Sequence, residues 1–187
     1  MCYLEDYNIL EGGNTVLRGL IAEEYARYIL IQRYPLTILR PKTVLHYLRK
    51  KMIKGQIVNF IKKYNQTMDY FGIGPIFEED TQQLSTEEIV STFFYAKEGL
   101  PQFMNKNEWV DKLEGFIIEV KSRTNMNSWA PFQYSLSTKQ EKMINQSKKL
   151  GFNTILCGVT FGNNWNLSVV ITNEYGKILP RDFLTTN

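Results

Sequence analysis

The sequence predicts an α/β protein with a central mixed β-sheet flanked by helices. Apolar residues recur at helical spacing near the N-terminus, whereas the C-terminal half carries short runs rich in Ile and Val that are typical of strands. A helical segment separates two of those runs, which is the chain order of a sheet with helices on its faces. The 187 residues allow one domain with a sizeable core and are few for two. We therefore expect one domain over residues 1–187, with an inserted basic helical section at about residues 41–107.

The part of the chain before that sheet is predicted to be mainly helical. Asn14 can cap the first helix, and the dipeptide Tyr34-Pro35 ends it. Gly55 breaks the basic segment if that segment forms two helices. The predicted elements are a helix over Asn14 to Gln32, a short strand over Thr37 to Leu39, one or two basic amphipathic helices over Lys42 to Met68, a loop over Phe71 to Pro75, and a helix from the capping-box sequence at Ser85 to Lys97.

The remaining elements alternate between strand and helix. Ser137 can cap a helix that Gly151 stops, and turn-like residues from Gly162 connect two apolar strands. The predicted elements are a β-hairpin of Trp109 to Lys112 and Phe116 to Ser122, a loop over Asn125 to Ser135, a helix from Ser137 to about Leu150, and strands over Thr154 to Phe161 and Leu167 to Thr172.

Composition argues against a membrane span, secretion, a disulfide scaffold and a structural zinc site. No run of about 18 uncharged apolar residues occurs, so no membrane span is expected. The N-terminus from Met1 to Glu11 carries acids and lacks a basic, apolar leader. We therefore expect an intracellular protein, in a cytoplasm or a host cytoplasm, and not a secreted one. Cys2 and Cys157 are far apart and match no metal-ligand spacing, which argues against disulfide scaffolding and structural zinc.

The formal net charge of +3 is modest, but the charges are unevenly distributed. No Asp or Glu occurs between Tyr28 and Met68, and acids reappear together from Glu78. A long block of one sign favours a polyanionic partner such as nucleic acid. The alternative is a solvated helix face whose counter-charges come from elsewhere in the fold. The basic residues of this block are Arg33, Arg40, Lys42, Arg49, Lys50, Lys51, Lys54, Lys62 and Lys63.

The segment Gly115 to Arg123 combines strand-forming residues with charged ones. Side chains alternate along a strand, so Glu119 and Lys121 point to the same face, opposite to Ile118. Charged groups beside an apolar strand are costly unless something there uses them. The segment is therefore a candidate functional site.

The turn before that strand decides whether Asp111 joins the same face. A two-residue turn directs Asp111 away from Glu119 and Lys121. A three-residue turn, with Gly115 in the left-handed conformation, places Asp111 opposite Ile117 and on their face. Two carboxylates beside an amine suit a hard divalent cation such as Mg²⁺. Such a cation supports phosphodiester hydrolysis by neutralising the phosphate and activating a water that Lys121 orients.

Asp111 followed by Glu119-Val120-Lys121 resembles the bipartite motif of the PD-(D/E)XK nuclease superfamily. The sequence from Gly19 to Glu23 is similar to the Gly-x-x-x-Glu signature of its Holliday-junction resolvases and of related archaeal and viral nucleases. Two further matches are Ser122 after the lysine and the glutamine-bearing run Ser137-Thr138-Lys139-Gln140. The order helix, hairpin, helix, strand matches from about Asn14 to Phe161, apart from the insert between roughly Pro41 and Asn107.

The resemblance implies a restriction-endonuclease-like core and a role for each matching residue. Asp111, Glu119 and Glu23 are implied as metal ligands, with Glu24 as the rival of Glu23. Lys121 is implied as the catalytic lysine and Gln140 as a catalytic positioning residue. The implied cofactor is Mg²⁺, with Mn²⁺ as a substitute, and the implied partners are DNA and a second copy of the chain. The nucleic-acid contacts expected are Arg49, Lys50, Lys51, Lys54, Ser122, Arg123 and Lys139.

The function expected from the residues and the resemblance is that of a Mg²⁺-dependent DNA endonuclease. The resemblance suggests branched or flapped DNA in replication, recombination or repair as the substrate. One alternative is a DNA-binding protein that keeps the nuclease fold without cleavage. Another is a nuclease-like subunit whose insert docks a protein partner, with the acidic helix from Ser85 to Lys97 at the interface.

Overall fold

In a computed structural model, the chain is described over residues 11–77, 84–99, 108–124, 135–162 and 166–184, with the side chains of residues 11–14, 108 and 124 left out. The helices are α1 (Glu11–Arg33), α2 (Pro41–Lys50), α3 (Gln56–Tyr64), α4 (Thr86–Lys97), α5 (Glu108–Asp111) and α6 (Thr138–Lys149). The strands are β1 (Thr37–Leu39), β2 (Tyr70–Gly74), β3 (Glu114–Thr124), β4 (Asn153–Phe161) and β5 (Leu167–Asn173). In these ranges no helix is both long enough and apolar enough to span a bilayer.

The five strands form one open mixed sheet in the order β1-β2-β3-β4-β5. The β1–β2, β2–β3 and β4–β5 pairs are antiparallel, whereas β3 and β4 are parallel. A parallel pair requires a crossover connection, and α6 lies in the connection between β3 and β4. The predicted α/β class with a mixed sheet is therefore confirmed, and β3 is its central strand.

Each face of the sheet packs against its own apolar cluster. On one face, Ala22, Ala26 and Leu30 of α1 pack with Phe116 and Ile118 of β3. On the other face, side chains of α2, α3, α4 and α6 pack with the β2 and β3 residues that point that way. The core on this second face includes Val44, Leu48, Phe60, Ile61, Phe71, Ile73, Phe93, Phe94, Ile117 and Met143. The β3 side chains that follow Ile117 on this face are Glu119 and Lys121.

Most predicted elements are present with small shifts of their ends. The first helix begins at Glu11, three residues before the predicted cap, and the short strand Thr37–Leu39 is as predicted. The basic segment is two helices with Gly55 between them. The helices after Ser85 and Ser137 both begin with a complete capping box, and the two C-terminal strands pair as a hairpin. The predicted loop at 125–135 and the turn at 162–164 lie largely outside the described residues.

Two predictions in the middle of the chain are wrong, and both concern β2. The predicted loop from Phe71 is a strand that is buried throughout. The glycines of this segment were interpreted as loop residues, but in the strand they allow a close approach of neighbouring backbone. A Cβ on Gly74 would lie 2.5 Å from the Pro35 carbonyl oxygen. The antiparallel partner of β3 is therefore β2, and the predicted partner, residues 109–112, is mainly the short helix α5.

The section at 41–107 is therefore not an insertion outside the sheet. It supplies β2, which lies between β1 and β3, as well as the helices that cover one face. The second basic helix, α3, is joined to the end of α4 by Glu98, whose carboxylate accepts hydrogen bonds from the amides of Gln56, Ile57 and Val58. The carboxylate of Glu98 occupies the space that a Cβ at Gly55 would need, which explains the glycine at the helix boundary.

Candidate active site

The acidic residue that faces Glu119 across the sheet is Asp69. The β2–β3 register pairs Tyr70 with Ile118, so the residue before β2 lies opposite Glu119. Oδ2 of Asp69 accepts a hydrogen bond of 2.7 Å from the Val120 amide, which fixes the Asp69 side chain against β3. We call Asp69 and Glu119 the acid pair.

Gln140 joins the two charged residues of β3. Its Nε2 donates to Oε2 of Glu119 at 2.5 Å, and its Oε1 accepts from Nζ of Lys121 at 2.8 Å. The same Oε1 accepts from the Ser137 amide, since Gln140 is the third residue of the α6 capping box. Local capping chemistry therefore aims Gln140 at the site. Glu119 and Lys121 share one face of β3, as predicted.

Burial raises the pKa of both carboxyl groups in the acid pair. Glu119 has no exposed surface, and burial, followed by the nearby charge of Asp69, raises its pKa to about 8. Burial, with a contribution from Glu23, raises the pKa of Asp69 to about 6, although the Val120 hydrogen bond opposes that shift. Oε1 of Glu119 has no hydrogen-bond partner among the described residues. Buried carboxyl groups with a raised pKa and an oxygen without a hydrogen-bond partner are typical of catalytic and ligand-binding sites.

Glu23 comes from α1 and lies near Asp69 at the end of the sheet. It forms an ion pair of 2.5 Å with Arg40, the residue before α2. Its neighbour Glu24 accepts a hydrogen bond from the Tyr70 hydroxyl at 2.8 Å and also pairs with Arg40 at 2.9 Å. Glu23 lines a pocket together with Asp69, whereas Glu24 does not. Of the two helix carboxylates, Glu23 is therefore the one beside the acid pair.

Asp111 is not brought to this group. It ends α5, is exposed to solvent, and is separated from Glu119 by the first half of β3. The predicted three-residue turn that placed it opposite Ile117 does not exist, because the partner of Ile117 is Phe71. Sequence reasoning missed Asp69, although an acid directly before the apolar residues Tyr70 and Phe71 was a usable signal.

The predicted nucleic-acid contacts lie in three places. Arg49 and Lys54 are exposed at the ends of α2 and α3, and Lys50 and Lys51 pair with Glu87 of α4 at 2.9 and 3.9 Å. The counter-charge expected under the alternative interpretation is therefore present for these two lysines. Ser122 and Arg123 follow Lys121 on β3, and Lys139 precedes Gln140 on α6. Arg123 donates a hydrogen bond of 3.4 Å to the Thr160 hydroxyl.

The acid pair fits a divalent cation whose remaining ligands are waters and phosphate oxygens of the substrate. In the part of the chain that the structure describes, no three Asp, Glu, His or Cys side chains are arranged to hold a metal ion by themselves. Mg²⁺, however, commonly takes one or two carboxylates and completes its shell with waters and substrate phosphates. The acid pair supplies two carboxylates, and Oε1 of Glu119 is an oxygen already removed from water, with no partner among the described residues.

No protein-family model, curated protein or solved structure matches this chain. The fold and the site define a class: an α/β protein with a five-stranded mixed open sheet, in which two facing acids and the lysine of β3 form one polar cluster with a glutamine of the neighbouring helix α6.

Proposed function

We propose that this protein is a metal-dependent DNA endonuclease of the PD-(D/E)XK type. The observation that carries the proposal is that Asp69 lies opposite Glu119, and that Glu119 is two residues before Lys121 on the same strand. Gln140 forms hydrogen bonds to both Glu119 and Lys121. The motif is thus Asp69 with Glu119-Val120-Lys121, and Asp69 takes the place first expected for Asp111. The order of α1, the β2–β3 pair, α6 and the parallel strand β4 also supports a restriction-endonuclease-like core.

The acid pair would hold the cation, and Glu23 would contact it or one of its waters. When bound, Mg²⁺ or Mn²⁺ supplies charge neutralisation at the scissile phosphate and a water of lowered pKa. Burial and mutual repulsion oppose ionisation of both carboxyl groups at once, and the positive charge of a bound cation would favour it.

Lys121 and Gln140 prepare the geometry around the phosphodiester. Lys121 is partly exposed and fixed by its 2.8 Å bond to Gln140, so its ammonium group is positioned to orient a water or to stabilise developing negative charge. Gln140 holds one oxygen of Glu119 and leaves the other without a partner in the described part of the chain. This buried second oxygen of Glu119 would be the one that coordinates a cation held by the acid pair.

Cleavage assays with matched variants test this proposal. Supercoiled, linear and four-way-junction DNA are incubated with Mg²⁺, Mn²⁺ or chelator, using the wild type, Glu119→Ala and Lys121→Ala. We expect metal-dependent cleavage that both substitutions reduce by about 100-fold or more. Equal cleavage by all three proteins would exclude this site, and equal cleavage of every DNA would remove only the preference for branched substrates.

A second candidate is a DNA-binding protein that keeps this fold without cleavage. The ion pair between Arg40 and Glu23 favours it, because Arg40 occupies a carboxylate that a cation would use. Binding of junction DNA with no cleavage in any metal would favour this candidate. The partner-docking alternative receives less support, since Glu87 of the acidic helix already pairs with Lys50.

A further inference from the structure

A pocket beside the acid pair is lined by both acidic and basic side chains. It opens between α1, the start of α2 and the segment before β2, and its volume is about 450 Å³. Glu23 and Asp69 supply its acidic groups, Arg40 and Lys42 supply its basic groups, and Leu20 adds an apolar surface. The volume falls within the roughly 300–1,000 Å³ of ligand pockets, and an apolar surface beside cations suits a nucleoside with its phosphate.

Arg40 is held in this pocket by two acids. Its guanidinium donates to Glu23 and Glu24, and it lies 4.5 Å from the centre of the Tyr70 ring. Partly exposed ion pairs of this kind contribute little to the stability of a protein. A guanidinium binds phosphate through two parallel hydrogen bonds, so exchange of a carboxylate for a phosphate costs little.

We propose, on the basis of the function proposed above, that this pocket binds one nucleotide of the substrate strand and that Arg40 exchanges Glu23 for its phosphate. The exchange releases Glu23 on the wall that it shares with Asp69, where it can face a cation held by the acid pair. Binding of the strand and binding of the cation then assist each other. By thermodynamic linkage, each raises the affinity of the other by the same factor.

Two binding measurements on the full chain test the exchange without relying on activity. In the first, anisotropy of a short fluorescein-labelled DNA duplex is measured in chelator. Arg40→Gln should weaken binding by about tenfold, as expected for one charged phosphate contact. The control is Arg27→Gln, because Arg27 also pairs with Glu24, at 3.7 Å, but does not line the pocket. We expect its affinity for the duplex to change by about twofold or less.

In the second measurement, Mn²⁺ alone is titrated and followed by electron paramagnetic resonance. Arg40→Gln should bind Mn²⁺ about fivefold more tightly than wild type, because Glu23 is no longer paired. The double variant Arg40→Gln with Glu23→Gln should lose that gain. Thermal melts of each variant confirm that it is folded before its affinities are compared.

The outcomes separate this proposal from the proposed function. Unchanged duplex binding by Arg40→Gln, or unchanged or weaker Mn²⁺ binding, overturns the exchange even if the wild type cleaves DNA. Absence of cleavage under every condition removes the proposed function, whereas tenfold weaker duplex binding in chelator still supports the pocket as a strand-binding site. Weaker duplex binding together with tighter Mn²⁺ binding supports the whole proposal.

Discussion

Asp69 accepts a hydrogen bond from the amide of Val120, the residue between the two charged side chains of the β3 motif. This bond joins the residue just before β2 to the middle of the central strand. It gives the acid before β2 the position that the sequence pattern had led us to expect for Asp111.

Asp69→Asn should lower cleavage by about 100-fold or more, whereas Asp111→Asn should leave it within about twofold. The amide side chain introduced by Asp69→Asn keeps an acceptor for the Val120 amide but carries no charge, so folding is preserved. Metal-dependent cleavage rates, with melting temperatures as the control, measure the difference. If the Asp111 variant is the inactive one, the site described here is wrong.

Gln140 has two roles that a pair of substitutions can separate. Gln140→Glu keeps the capping-box geometry but replaces the donor to Glu119 with a third carboxyl group, so we expect at least a tenfold loss of cleavage. Ser137→Ala removes the cap and should cost about 1 kcal/mol of stability with cleavage retained below the melting transition. Denaturant unfolding and initial rates are measured on both. Equal effects on both quantities in the two variants would mean that Gln140 acts only as a cap.

The metal-free protein should lose stability as the pH rises from about 5 to above 8. The pKa values of Asp69 and Glu119 in the folded state, about 6 and about 8, lie above the usual carboxyl value of about 4. The folded protein therefore holds protons that the unfolded chain releases, and the stability that they contribute disappears as the pH passes the folded-state values. We expect a loss on the order of 2 kcal/mol in urea unfolding with chelator present.

Two controls accompany that pH series. Glu119→Gln cannot ionise, so its stability should depend much less on pH in the same window. Mg²⁺ should restore stability at high pH in the wild type, because a ligand that binds only the folded state stabilises it. A wild-type profile that is flat or rises between pH 5 and 8 would contradict the raised pKa values.

Gly115→Ala should destabilise the fold, and Gly19→Ala should not. A Cβ at Gly115 would lie 2.6 Å from Cδ1 of Phe152 and 2.9 Å from Cζ of Phe93, both packed rings, so we expect a loss of about 1–3 kcal/mol. A Cβ at Gly19 meets no atom within 4 Å, and alanine favours helix by up to about 1 kcal/mol. Thermal unfolding of the two variants compares them directly. A Gly19→Ala variant that is stable but binds DNA poorly would indicate close approach of the strand to α1.

An exposed stripe on α1 gives the expected homodimer a testable surface. Leu17, Leu20, Tyr28 and Ile31 are 40–60% exposed, and their positions are symmetric about Glu24. Two antiparallel copies of α1 would pair residue 17 with 31 and residue 20 with 28, with Glu24 of each copy at the two-fold axis, where its ion pairs with Arg27 and Arg40 offset the two like charges. Sedimentation of wild type and Tyr28→Lys should show a dimer that dissociates in the variant. A wild-type monomer at high concentration would exclude this surface.

The sequence predicted those parts of the fold that local signals determine. Capping residues Ser85 and Ser137 located two helices, and uninterrupted apolar runs located β4 and β5. Alternation along a strand also placed Glu119 and Lys121 on one face, whereas Gln140 was assigned to the site only by the resemblance to the nuclease motif. These predictions needed no knowledge of distant contacts.

The identity of the β3 partner could not be obtained in the same way. Pairing between β2 and β3 joins residues 40 to 48 positions apart, and no local pattern specifies it. The glycines of β2 indicated a loop, although they are required by contacts with Pro35 and Ile118 that exist only in the folded chain. Because the partner strand was assigned wrongly, its acid was assigned wrongly as well.

The cap that Glu98 places on α3 has a consequence for the direction in which a polyanion can approach. Three amides at that helix end are already bound to the protein's own carboxylate, which acts there as a built-in substitute for a phosphate. The start of α2 carries no side-chain cap and no acid in its first turn, and it lies beside Asp69. The basic section is therefore asymmetric: a carboxylate of the protein covers the start of α3, whereas the start of α2 has no such cap and lies beside the candidate active site.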